Sequence, residues 1–209
     1  MVARVVRLRR ESWGFMVGSA LFILGAVPAY ADAVGLTLDN LTFVVGALFF
    51  TLAAFIQLNL SGRRVPRRTS NRPDLYDWWA AAIQLAGTLF FNLSTIAALT
   101  DGLGTADRLG TGWRPDAFGS ICFLLSSTLA VAATTGRDAL WDPQARSWRS
   151  TWLNLLGSVA FGVSAVGAYT VAATGDLLSQ DWATGGTILG GLCFLVAAAL
   201  ARPGQPRLT

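Results

Sequence analysis

Six long uncharged segments dominate this sequence and leave it few ways to fold. Each has about the 20 residues that an α-helix needs to cross roughly 30 Å of hydrocarbon. Asp116, at the start of the fourth segment, is the only charged residue in any of them. A backbone in lipid must satisfy its own hydrogen bonds, so these segments predict six transmembrane helices. Their bounds are 13–31, 41–60, 78–99, 116–135, 151–173 and 183–201.

Composition supports lipid as the solvent of the chain. Only 13% of the residues are charged and 53% are hydrophobic, whereas soluble domains carry about 25% charged residues. The sequence therefore predicts an all-α fold, a polytopic membrane helical bundle that forms one domain over residues 1–209.

The arginines predict the orientation of this bundle. Fourteen of the sixteen lie before the first span, between the second and third, between the fourth and fifth, or after the sixth. Only Arg108 and Arg114 lie in a connection on the other side. By the positive-inside rule, both termini lie in the cytoplasm. The eight tryptophans lie at or beyond the predicted span ends, as in an interfacial aromatic belt. The absence of lysine and the abundance of Ala and Gly suggest a GC-rich bacterial genome. The expected location is therefore the bacterial plasma (inner) membrane.

The first segment has a second interpretation. Residues 1–31 have the outline of a secretory signal peptide, with Ala29, Tyr30 and Ala31 before Asp32. A long apolar run preceded by Glu11 favours a retained span, and the repeat described next also favours it.

A short motif, Gly-Ser/Thr-x-x-Phe, recurs in the odd-numbered spans. Its copies begin at Gly18, Gly87 and Gly157, which are 69 and 70 residues apart. The even-numbered spans share Gly-x-x-x-Phe. We therefore expect internal repeats of about 12–62, 77–136 and 150–203, forming three parallel helical hairpins that either close into a ring or stack side by side. Small residues let helices approach closely in lipid; the predicted packing residues are Gly18, Ser19, Gly87, Thr88, Gly157 and Ser158.

The stretch from Trp13 to Gly62 resembles a YrhK-like two-span domain. The resemblance rests on Gly18-Ser19-x-x-Phe22 and on Phe43-Val44-Val45-Gly46 followed by Phe50. The stretches that begin at Trp78 and Asn154 look like divergent copies of it. This resemblance implies a bacterial membrane domain of unknown function and supplies no catalytic residues.

Uncharged polar residues concentrate in the third predicted span. Gln84, Thr88 and Asn92 share one helical face, and Asn154 lies on the equivalent face of the fifth span. They either form hydrogen bonds between helices or line a path for a neutral solute or a lipid headgroup.

The sequence lacks the residues that several kinds of chemistry require. The chain has no histidine, and its two cysteines, Cys122 and Cys193, lie in apolar runs as packing residues. Proton relays need ionisable groups at mid-span, and none is present. We expect no cofactor, no metal site and no catalytic residue, and a non-enzymatic structural or accessory role. The alternative is a passive channel or carrier for a small uncharged solute or lipid.

The connection after the second span holds the densest positive charge. Arg63, Arg64, Arg67 and Arg68 lie beside a span end, where arginines attract anionic lipid headgroups. The bilayer is thus the expected partner, with a membrane protein or a second copy as a further one. We expect no binding to nucleic acid.

Overall fold

The computed structural model of the protein describes residues 2–59, 65–102, 113–136, 141–171 and 173–202. Across these ranges the fold is all-α, and the only β-type pairing is an isolated bridge between Thr170 and Leu177. The helices are α1 (Val2–Gly25), α2 (Pro28–Val34), α3 (Leu36–Asn59), α4 (Arg72–Gly102), α5 (Trp113–Thr135), α6 (Arg146–Gly167) and α7 (Gln180–Ala201).

Five of these helices are individually long and apolar enough to cross a membrane, namely α3, α4, α5, α6 and α7. The sixth qualifies only when α1 and α2 are taken together. Most of the long helices begin several residues before the predicted spans, because polar and charged residues that precede the apolar segments are also helical.

The predicted first span, 13–31, is broken. Helix α1 ends at Gly25, and α2 starts at Pro28 with its axis bent by 79°. Proline lacks the N–H group that would continue the backbone hydrogen bonds of helix α1. It also forces the preceding residue, Val27, into an extended conformation (φ −81°, ψ 116°). Gly35, at φ 80°, then permits the second turn that leads into α3.

The predicted fifth span, 151–173, is shorter in the structure. Helix α6 ends at Gly167, after which the backbone N–H of Ser179 donates to Gly167 O at 3.0 Å and that of Leu178 donates to Tyr169 O at 2.7 Å. A β-carbon at Gly167 would lie 2.5 Å from the backbone nitrogen of Ala183. The glycine thus allows the start of α7 to pack on the end of α6.

The six long helices form a closed ring. Each contacts two others, in the order α1, α3, α4, α5, α6, α7 and back to α1. Leucines in the middle of these helices point outwards, with exposed fractions of 55% for Leu52, 57% for Leu93 and 53% for Leu125. Large apolar side chains on the outside and small or aromatic ones inside are typical of a bundle in lipid.

Six phenylalanines fill the centre of the ring. Phe22, Phe91 and Phe161 form one triangle, with ring centroids 5.9–6.1 Å apart. Phe50, Phe123 and Phe194 form a second, with centroids 5.6–6.5 Å apart. Centroid distances of 4.9–5.2 Å join the two triangles. All six rings are at most 4% exposed, so together they form a phenylalanine cluster that closes the axis.

A glycine on the neighbouring helix makes room for each ring. A β-carbon on Gly157 would lie 2.5 Å from Phe194 Cδ1, and one on Gly190 would lie 2.7 Å from Phe161 Cδ2. The same reciprocal contact, in which a glycine of each helix faces a phenylalanine of the other, joins α1 to α3 and α4 to α5. We call it the Gly–Phe exchange. In all three pairs a glycine carbonyl lies 2.9–3.2 Å from the place of the partner glycine's β-carbon. The glycines involved are Gly18, Gly46, Gly87, Gly119, Gly157 and Gly190.

We predict that Gly157→Ala destabilises the bundle while Gly162→Ala, five residues along the same helix, does not. The first β-carbon would clash with Phe194, whereas the second meets no atom within 4 Å. Overpacking of this kind costs about 1–3 kcal/mol. Thermal unfolding of both variants in the same detergent measures the difference, and equal midpoints would contradict the packing described here.

Candidate functional site

The predicted polar residues of α6 bond to α5. The Asn154 amide nitrogen donates to Ser127 Oγ at 3.0 Å, and the hydroxyls of Ser127 and Ser158 share a hydrogen bond of 2.6 Å. Ser158 Oγ also donates to Asn154 O. Ser127 and Ser158 are fully buried, so these polar groups join two helices.

The predicted polar residues of α4 are also engaged. The Thr88 hydroxyl, fully buried, donates to Leu85 O at 2.7 Å. The Asn92 amide nitrogen donates to Thr51 Oγ1 of α3 and to Thr88 O. The carbonyl oxygen of Gln84 lies 3.4 Å from Ser126 Oγ of α5, which donates to Ala80 O at 2.7 Å.

Ser19, the equivalent of Thr88 and Ser158 in α1, differs from both. Its side chain is fully buried, yet its hydroxyl has no hydrogen-bond partner among the described residues. Gly18 beside it packs against Gly46 O and the ring of Phe50. One of the three motif copies thus buries a hydroxyl without satisfying it.

A cavity of about 530 Å³ opens at one end of the ring, and we call it the vestibule. Its walls come from the N-terminal parts of α1, α4 and α6 and the C-terminal parts of α3, α5 and α7. Phe15 and Phe194 are the aromatic residues of its lining. The phenylalanine cluster therefore lies between the vestibule and the opposite end of the bundle.

Two of the four candidate lining residues reach this cavity. Gln84 and Asn154 belong to its wall, whereas Thr88 and Asn92 do not. Both excluded residues lie further along α4, away from the vestibule. Of the four residues, only Gln84 and Asn154 therefore share the wall of the vestibule.

Four charged residues stand around the vestibule. Glu11 of α1 and Asp77 of α4 supply carboxylates, and Arg146 and Arg202 supply guanidinium groups. Arg146 Nη2 donates to Arg202 O at 3.3 Å, and the Arg202 guanidinium lies 5.0 Å from the Trp13 ring centroid. These contacts join the beginning of α6 to the end of α7, and the end of α7 to α1.

The predicted lipid-headgroup residues lie only partly within the described chain. Arg67 and Arg68 are exposed in the connection before α4, at the vestibule end of the bundle. Arg63 and Arg64 lie outside the described residues.

The hydroxyls of the vestibule were not among the sequence-predicted sites. Ser12, Ser150 and Thr151 line it together with Asn154. The spacing of 150, 151 and 154 puts these residues on one face of α6, and this periodicity was the available signal. Ser150 Oγ also donates to Ala197 O at 2.9 Å, joining α6 to α7.

Comparisons of this chain with protein-family models, with curated proteins and with solved structures found no match. The resemblance to a YrhK-like domain therefore stays a prediction.

We predict opposite effects for two matched substitutions. Ser158→Ala removes a bond between helices and should lower stability by about 0.6 kcal/mol, and by no more than about 1.7. Ser19→Ala removes a buried hydroxyl that has no partner and should raise stability by about 1 kcal/mol. Unfolding of both variants in detergent measures the sign of each change in stability. A loss of stability in Ser19→Ala as large as that in Ser158→Ala would show that the Ser19 hydroxyl has a hydrogen-bond partner.

Proposed function

We propose that this chain is a non-enzymatic, multi-pass protein of the bacterial inner membrane, serving as a structural or accessory component. It crosses the bilayer as three parallel hairpins with both termini in the cytoplasm. The observation that carries this proposal is the phenylalanine cluster: six buried rings occupy the axis where a pore would run.

The polar contacts support the same role. The amide nitrogens of Asn92 and Asn154 and the hydroxyl of Ser158 donate to neighbouring helices or to their own backbone. The side-chain oxygen of Asn92 has no hydrogen-bond partner among the described residues. Groups that hold helices together are characteristic of a packed membrane bundle. A transport path, in contrast, needs polar groups that remain available to the solute.

The orientation follows from the charges at the vestibule end. Arg67, Arg68, Arg146, Arg149 and Arg202 belong to this end, whereas Arg114 begins α5 at the other. By the positive-inside rule, we expect this end of the bundle, and with it the opening of the vestibule, to face the cytoplasm. Anionic headgroups of the inner leaflet would meet Arg67 and Arg68, each contributing about 1 kcal/mol of attraction.

The threefold pattern supports descent from one hairpin. The Gly–Phe exchange recurs in α1/α3, α4/α5 and α6/α7, and it uses the motif on which the YrhK-like resemblance rests. We propose that the chain consists of three copies of such a hairpin.

A passive channel or carrier for a small uncharged solute or lipid is the second candidate. The observation that favours it is the vestibule, whose wall includes Gln84 and Asn154. Transport would require the phenylalanine cluster to part, so that Thr88 and Asn92 become part of the same path.

Thiol labelling separates the two functions. Single cysteines at Thr88 and Thr151 are made in a background with Cys122→Ala and Cys193→Ala, and are exposed to a membrane-impermeant reagent in sealed vesicles. We expect Thr151→Cys to react from the cytoplasmic side at least tenfold faster than Thr88→Cys, because Thr151 lines the vestibule and Thr88 is fully buried.

Reaction of Thr88→Cys from either side, at a rate near that of Thr151→Cys, would contradict the packed bundle and establish the pathway. Labelling of both variants in detergent-denatured protein controls for the presence of the thiol.

A further inference from the structure

The charges around the vestibule are segregated by sign. Glu11 and Asp77 lie on α1 and α4, the two neighbours of α3 in the ring. Arg146 and Arg202 lie at the start of α6 and the end of α7, which contact each other. Helix α5, between α4 and α6, contributes only Ala130 and Thr134. One arc of the wall is therefore acidic and the other is basic.

Other residues of the wall are neutral and carry hydrogen-bonding groups. Gln84, only 8% exposed, and Asn154 present amide groups, and Ser12 and Thr151 present hydroxyls. Phe15 and Phe194 add apolar surface. Such a lining combines apolar surface with hydrogen-bonding groups, next to side chains of both charges.

The size of the vestibule also limits its occupant. A volume of about 530 Å³ lies within the range of about 300–1,000 Å³ of small-molecule sites. It accommodates a headgroup or a free metabolite.

From this arrangement we propose that the vestibule binds a zwitterionic group, with an ammonium on the acidic arc and a phosphate or carboxylate on the basic arc. The group has two possible sources: the headgroup of an ethanolamine phospholipid or a free small zwitterion. This site goes beyond the structural role proposed above, which needs no ligand.

Calorimetry on the full chain in an uncharged detergent tests this site with defined probes. Glycerophosphoethanolamine represents the lipid headgroup and β-alanine represents a free zwitterion; ethanolamine and glycerol phosphate each carry charge of one sign only. We expect at least one zwitterion to bind at least tenfold more tightly than either of these two probes. Binding of glycerophosphoethanolamine alone identifies the lipid source, and binding of β-alanine identifies the free one.

Matched variants locate the binding. Arg146→Gln should lower the affinity for the zwitterion at least tenfold. Arg149→Gln, one turn further along α6 and outside the vestibule, should leave the affinity unchanged. Asp77→Asn and Asp74→Asn form the corresponding pair on α4. Arg146 is exposed, so its replacement leaves the buried side chains in place; thermal unfolding of both variants controls for loss of its hydrogen bond to Arg202 O.

Three results would overturn the site. The first is that neither zwitterion binds. The second is that ethanolamine or glycerol phosphate binds as tightly as the zwitterions. The third is that Arg146→Gln has no more effect than Arg149→Gln, which would indicate attraction to the arginine-rich surface in general.

Discussion

The packing of phenylalanine rings against glycines is the interaction on which the rest of this structure depends. Hydrocarbon gives helices no hydrophobic reason to associate, so association must come from close contact and from hydrogen bonds between helices. Glycines at six positions allow the backbones to approach and leave room for six rings. The rings in turn meet on the axis, where each contacts rings from other helices. One contact type thus pairs the helices and closes the ring.

This packing makes the two ends of the bundle different. Phe50, Phe123 and Phe194 pack against the glycines of α1, α4 and α6 that lie one turn before Phe22, Phe91 and Phe161. Because these three helices begin at the vestibule end, the first three rings lie nearer to the vestibule than the other three. At that end the helices leave a cavity with charged walls; beyond it the axis is filled. A one-sided cavity that ends on aromatic rings suits binding better than passage, and for this reason the structural role and the zwitterion site are compatible.

The sequence predicted the all-helical fold and the apolar spans, because lipid imposes a length and a composition that are visible residue by residue. It did not predict the break at Val27 and Pro28 or the early end of α6, since a hydropathy pattern does not report where a helix turns. Ser19 and Ser158 occupy the same motif position, yet only Ser158 has a partner on another helix. The vestibule combines residues from six helices, and the ring order that assembles them is not encoded in any local pattern.

Closure of the ring between its first and last helices tests this account most directly. A β-carbon at Gly191 of α7 would lie 2.7 Å from Ile23 Cγ1 of α1, so cysteines at these two positions are within reach of a disulfide. In a background without Cys122 and Cys193, we expect mild oxidation in membranes to join Ile23→Cys and Gly191→Cys within one chain, as detected by mass spectrometry. Ile23→Cys paired with Ile121→Cys, on the outer face of α5, should stay reduced. Equal yields from the two pairs, or no bond between α1 and α7, would show that the helices do not close around the phenylalanine cluster.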